Sequence, residues 1–367
     1  MKIIFHISNW QIFIRKKIKL RKINYPYILF LIVLTVILEF GSRLLITYNF
    51  NNQHIWDINL YRHFYPNLSK IRNYKYNIHK KNILILGGST VSDETINIKT
   101  KEGEVKTCFC HLSTMFPDNR YNILNLAQAG HNSLDSYIKY HLTREVKFDY
   151  VFLYDGINDL RTNNCETYRF NQDYKQIEFY DDISIVQEHK EIEYITFIFL
   201  IHWTYHLWKK RNKTYIPKEI FPGLINGKPE KVCLEGKNVK SAKTFKKNVE
   251  KILDIATKKK EKIIISSFAY YIPLTYSLEA FKKKALDYDQ QIYPIELYGL
   301  PNNIEKGLQI HNKILSGFRR KKNILYLDLN KVIPKNKKYF DDICHLNKNG
   351  CELMKNSIIY IVEKNEN

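Results

Sequence analysis

Four short stretches of this 367-residue chain carry residue types suited to acyl transfer: Gly87-Gly88-Ser89-Thr90, Ala129-Gly130-His131-Asn132, Asp155-Gly156-Ile157-Asn158-Asp159 and Asp341-Asp342-Ile343-Cys344-His345. The chemistry sets the requirements. A serine hydroxyl is a weak nucleophile and needs a base to take its proton; Ser89 and His345 are the candidates. The imidazole needs an acceptor that fixes its tautomer and stabilises its charged form, and Asp342 stands three residues before it. The tetrahedral oxyanion needs preorganised donors, for which the N–H of Ser89, the N–H of Gly130 and the side-chain amide of Asn158 qualify. Each stretch alone has an ordinary reading. Gly-Gly-Ser-Thr resembles a phosphate-binding turn without the P-loop lysine. Gly-x-Asn-Asp resembles a turn held by its own side chains, and Asp342 could cap a helix.

The elements that must position these groups are legible as short apolar runs: Ile83–Leu86, Ile123–Leu126, Tyr150–Tyr154, Ile263–Ile265 and Ile324–Leu327. Little alternation and flanking turn residues suit strands of a parallel sheet buried on both faces. Helical spacing of Phe245, Val249, Ile252, Leu253 and Ala256 precedes the fourth run; Ile304, Leu308, Asn312 and Leu315 precede the fifth. Leu346 to Val362 reads as a closing helix. Alternation of this kind predicts an α/β fold with helices on both faces. Ligands of such sheets bind beyond the carboxyl ends of the strands. The four stretches fall in order at strand ends, nucleophile first and Asp/His pair last.

On these residues the chain resembles the SGNH (GDSL-type) hydrolases, over roughly residues 81–362 without most of the 165–240 insertion. Gly88-Ser89 matches the first block, Gly130 the second, Gly156-x-Asn158-Asp159 the third and Asp342-x-x-His345 the last. Gly88 departs from the aspartate of Gly-Asp-Ser. The resemblance implies a three-layer α/β/α sandwich with a five-stranded parallel sheet of flavodoxin-like order. It also implies ester hydrolysis or acyl transfer with no metal and no cofactor. Anchored members of the family often act on acylated envelope carbohydrate.

Charge and hydropathy place the chain. Lys+Arg 58 against Asp+Glu 37 gives +21, which invites a nucleic acid, a membrane surface or an acidic polymer. A mean hydropathy of −0.39 excludes a polytopic transporter. Seven of the basic residues lie in 1–24 with no acid, and an apolar stretch follows from Tyr25 to Thr47. That length suits the roughly 20 residues of a transmembrane helix. The basic flank predicts a cytoplasmic N-terminus and an extracytoplasmic remainder. A cleaved signal peptide and a buried soluble helix are the alternatives. Glu39 and Arg43, four apart, share a helix face and can pair. The expected organisation is a basic tail 1–24, a transmembrane helix 25–47, a juxtamembrane linker 48–80 and a hydrolase domain 81–363.

The insertion contains Ile195–Trp208, apolar and aromatic, ending in Lys209-Lys210-Arg211; it reads as a lid or interfacial helix. His202 and His206 in it are read as structural. The cysteines stand at 108, 110, 165, 233, 344 and 351; an extracytoplasmic location permits disulfides, with 15 pairings open, and free or buried thiols are favoured over a metal site at Cys108–His111. The leading reading is an anchored extracytoplasmic serine esterase that removes O-acyl groups from envelope carbohydrate. The alternatives are an O-acyltransferase to a sugar hydroxyl, a lipid esterase, and a degenerate glycan-binding module. No nucleic-acid motif appears, so nucleic acid is not expected as a partner.

Overall fold

The computed structural model of the chain describes residues 25–50, 54–100, 103–108, 110–189, 192, 195–212, 224–225, 228–229 and 231–366. The predicted basic tail 1–24 lies outside the described residues. The described residues form two units, one drawn from 25–59 and 189–206 and one from 60–188 and 207–366.

The larger unit is built on a five-stranded parallel sheet. Its strands are β1 (Lys81–Gly87), β2 (Tyr121–Asn125), β3 (Tyr150–Tyr154), β4 (Lys262–Ser266) and β5 (Ile324–Leu327). In space they run β2-β1-β3-β4-β5. β1 is central to the site, pairing in parallel with β2 from Lys81↔Tyr121 and with β3 up to Gly87↔Tyr154. Every residue of β3 and six of the seven in β1 are buried, as both-face coverage requires. The predicted order and the five runs are therefore found, with boundaries shifted by at most two residues and unshifted for β3 and β5.

Helices cover both faces. Among those on the larger unit, α5 (Ser241–Lys259) packs on both α2 (Ser133–Leu142) and α6 (Pro301–Gly317). The apolar stripe of α5, from Phe245 to Ala256, is buried as its spacing predicts. The closing helix α7 (Lys348–Lys364) lies against β5. Its Met354, Ile358 and Val362 join Ile83, Ile85, Phe152 and Ile264 in one core cluster. A disulfide between Cys110 and Cys351 ties the segment before the short Leu112–Met115 helix to α7. The sequence leaves this pairing open, because residues 241 apart become neighbours only in the fold. The disulfide removes Cys110 from any metal site at Cys108–His111. Cys165 and Cys344 are buried thiols, and Cys233 is buried too.

The linker boundary also moves. From Leu60 onward the chain belongs to the larger unit, with Leu60, Phe64, Tyr65 and Leu68 buried. The missing period there reflects a short helix and a 3-10 stretch rather than a free tether.

In the smaller unit α1 (Tyr25–Asn49) is one apolar helix of 25 residues with most of its side chains exposed. Glu39 and Arg43 pair at 2.7 Å, as their spacing predicts. Glu39 also accepts hydrogen bonds from the backbone N–H of Thr196 (2.8 Å) and Phe197 (3.3 Å) at the start of α4 (Thr196–Asn212). A carboxylate at a helix N-terminus satisfies donors that the helix leaves open. Phe50 packs on Phe199 and Trp203. His202 packs against His189 and His206 against Trp203, with the rings tilted by 33° and 40°.

Candidate active site

β1 ends in Gly87-Gly88, and Ser89 opens a single 3-10 turn, Ser89–Val91. A β-carbon on Gly88 would meet Asn158 Nδ2 at 2.7 Å and the His131 carbonyl oxygen at 3.0 Å. That contact supplies a reason for glycine where Gly-Asp-Ser has aspartate: the third block closes directly over this position.

The third block follows β3. Gly156 precedes the one-and-a-half-turn helix α3 (Ile157–Arg161). Asn158 donates through Nδ2 to the His131 carbonyl at 2.8 Å, which fixes the amide plane and leaves its second N–H for a ligand. Gly130, before His131, has φ +80°, a conformation that glycine adopts at little cost. Asp159 holds the blocks together. It accepts from the N–H (3.0 Å) and hydroxyl (2.6 Å) of Ser133, the first residue of α2, and from Tyr174 in the insertion (2.8 Å). Burial raises the Asp159 carboxyl to about 6, against the lowering effect of these hydrogen bonds.

The second-block loop is braced from below. Asn67 donates to the Ala127 carbonyl and Lys70 to that of Asn125. Tyr65 and Tyr180 both donate to Asp135, the capping-box acid of α2. Segments 60–80 and 165–188 thus support the site rather than merely link or decorate the domain.

The last block lies in a loop closed by a Phe340–Leu346 bridge and by the Asp341 N–H to His345 carbonyl bond. Asp342 is no helix cap; that role falls to Asn347, whose side chain accepts from the N–H groups of Asn349 and Gly350. Asp342 instead faces His345 Nδ1, at 2.8 Å from Oδ2 and 3.0 Å from Oδ1. It also accepts from the backbone N–H of Cys344, His345 and Tyr293. His345 Nε2 lies 2.8 Å from Ser89 Oγ. Burial alone would depress this imidazole; the Asp342 carboxylate opposes it and holds His345 well above the ordinary histidine range.

Ser89, Gly130, Asn158 and His345 line one cavity of about 390 Å³, with Asp342 buried behind His345. The remaining lining is Ala129, Arg161, Tyr293, Leu297 and Tyr298. Ala129 belongs to the second stretch; sequence reading missed the other four. Only Arg161 had a local signal, three residues after Asn158 and so on the same helix face. Tyr293, Leu297 and Tyr298 come from a motif-free segment between β4 and α6. Asp342, Cys344 and His345 bring ligand atoms within 4.8 Å of one another, the one such cluster among the described residues. Burial raises the Cys344 thiol, so it stays protonated and is a poor ligand. Its Sγ lies 3.6 Å from His345 Nδ1 and from the Tyr298 hydroxyl.

No family model and no curated protein matches the sequence. Solved structures match at low identity. A GDSL-like lipase from Bacteroides thetaiotaomicron is 11% identical, covering 82% of this chain and 97% of its own, with TM-score 0.42. The acetylxylan esterase Axe2 from Geobacillus stearothermophilus is 11% identical, covering 78% and 96%, with TM-score 0.38. LAE5, an alpha/beta hydrolase enzyme from the metagenome of Lake Arreo, is 11% identical, covering 77% and 94%, with TM-score 0.39.

Proposed function

We propose that the chain is a serine esterase of SGNH type. In this reading α1 holds it in a membrane with the larger unit on the extracytoplasmic side, and it removes O-acyl groups, acetyl foremost, from envelope carbohydrate. The observation that carries the reading is the hydrogen-bonded series Ser89 Oγ, His345 Nε2, His345 Nδ1, Asp342 Oδ2, with 2.8 Å at each step between residues.

Ser89 attacks the ester carbonyl while His345 takes its proton. Asp342 keeps the imidazole in the tautomer that presents Nε2 to serine and stabilises the imidazolium. The N–H groups of Ser89 and Gly130 and the Asn158 amide hold the oxyanion. His345 then gives the proton to the departing sugar oxygen. Water, deprotonated by the same imidazole, cleaves the acyl-serine. The Cys110–Cys351 disulfide supports an oxidising location, and the length and apolarity of α1 support an anchor.

The test is trapping with a fluorophosphonate probe and turnover of p-nitrophenyl acetate by the full chain in detergent. Ser89→Ala and His345→Ala lose both labelling and hydrolysis. Labelling that survives Ser89→Ala, or a parent that neither labels nor turns over a broad ester panel, refutes the reading.

A further inference from the structure

Lys139 is a buried cation that ester hydrolysis does not use. It lies on α2 and is wholly buried. Its ammonium donates to the Leu126 carbonyl at 2.6 Å and lies 3.0 Å from His131 Nδ1. Burial, helped by the Lys139 charge, holds His131 well below the ordinary histidine range, so the imidazole is neutral. Nδ1 therefore accepts from the lysine, and the ring proton sits on Nε2. Leu126 and His131 stand on either side of Gly130, five residues apart. One ammonium thus ties together both ends of the loop that carries Gly130. The same His131 gives its carbonyl to Asn158 Nδ2 at 2.8 Å. Its ring is held edge-on by Tyr65 and tilted against Phe179.

A group with several donors and no acceptor suits this place. A carbonyl oxygen and an imidazole lone pair both face it, and without a shared donor each would be a buried acceptor left unpaired. Burial disfavours the charged ammonium, and the carboxylates of Asp135, Asp155 and Glu94 oppose that. An apolar side chain would fill the same space without desolvating a charge, so packing alone does not account for a lysine here.

We propose that Lys139 is a positioning residue for the oxyanion site: by pinning Leu126 and His131 together it holds the Gly130 N–H and, through the His131 carbonyl, the Asn158 amide in place. The inference rests on the esterase reading. Lys139 touches neither the substrate nor the reacting atoms and takes no part in proton transfer. Its loss weakens the tetrahedral state and leaves binding of the planar ester alone.

The experiment compares p-nitrophenyl acetate with p-nitrophenyl thionoacetate, using the full chain in detergent. The sulfur of the thionoester is a weak acceptor and gains little from oxyanion donors. In Lys139→Met, kcat for the oxoester falls about 10²-fold, the scale of one lost oxyanion donor. KM stays within a few-fold, and the thionoester rate also changes only a few-fold. Lys139→Gln, whose amide keeps two N–H groups, recovers part of the oxoester rate. A general loosening of the fold lowers both esters alike, so equal losses in Lys139→Met, or no loss, overturn the proposal. A raised KM with kcat retained overturns it as well. If Lys139→Met does not fold, His131→Leu keeps the ammonium, removes one of its two acceptors, and decides by the same comparison. The oxoester then loses about 10-fold more than the thionoester, and equal losses overturn the proposal. A parent that turns over neither ester and does not label with the fluorophosphonate refutes the esterase reading, and the inference falls with it. A parent that labels at Ser89, with variants that lose both esters equally, refutes the inference alone.

Discussion

A β-carbon on Gly88 would press within 2.7 Å of the Asn158 amide, so in the proposed mechanism one glycine couples the nucleophile turn to the oxyanion side. Gly88→Ala displaces Asn158 Nδ2, and kcat for p-nitrophenyl acetate drops on the order of 10²-fold, the scale of losing one oxyanion donor. KM and folding change little; an unchanged kcat refutes the coupling. His345 carries a second prediction. In the proposed mechanism it acts as base only when neutral, and Asp342 holds it well above the ordinary histidine value of 6.5. The acid limb of kcat/KM therefore lies above about pH 6.5, and activity rises with pH through it. In Asp342→Asn the carboxylate that opposes burial is gone. The limb moves to lower pH while the rate falls by about 10⁴-fold, the scale known for this substitution in serine proteases. A pH–rate series on both proteins checks this, and an unmoved limb removes Asp342 from the role.

Elements act here mainly by bracing loops. α2 begins at Ser133, and Asp159 of α3 grips that start through both its N–H and its hydroxyl. The insertion adds Tyr174 to Asp159 and Tyr180 to Asp135. None of this was legible locally, because the partners lie 15 to 45 residues apart and meet only when α2 and α3 emerge from the ends of β2 and β3, the two strands that flank β1. α7 starts three residues after His345 and is held by Cys351 to Cys110. Replacing both cysteines by serine lowers unfolding stability by about 2–5 kcal/mol. Denaturant titration with and without reductant measures this. A variant as stable as the parent would show the bridge to be energetically idle. The catalytic distances do not run through the bridge, so kcat at moderate temperature is retained.

At the scale of the whole molecule, the long apolar helix α1 predicts that the expressed full chain sediments with membranes and resists extraction by high salt or carbonate. Protease added outside intact cells digests the larger unit; protection there reverses the topology. The strands, the helical stripes, the Glu39–Arg43 pair and the order of the four blocks were readable from the sequence. Periodicity and turn chemistry are local properties, and both-face burial leaves unbroken apolar runs. The local code also gave the residue types that acyl transfer needs. Tertiary structure alone decided which of them meet. The 2.8 Å approach of Ser89 to His345 spans 256 positions of sequence, and the disulfide spans 241. The tyrosines and the arginine of the cavity wall belong to it because parallel strands deliver their carboxyl ends to one rim. A sequence states what each loop carries; only packing of the sheet and its helices fixes the distances between loops.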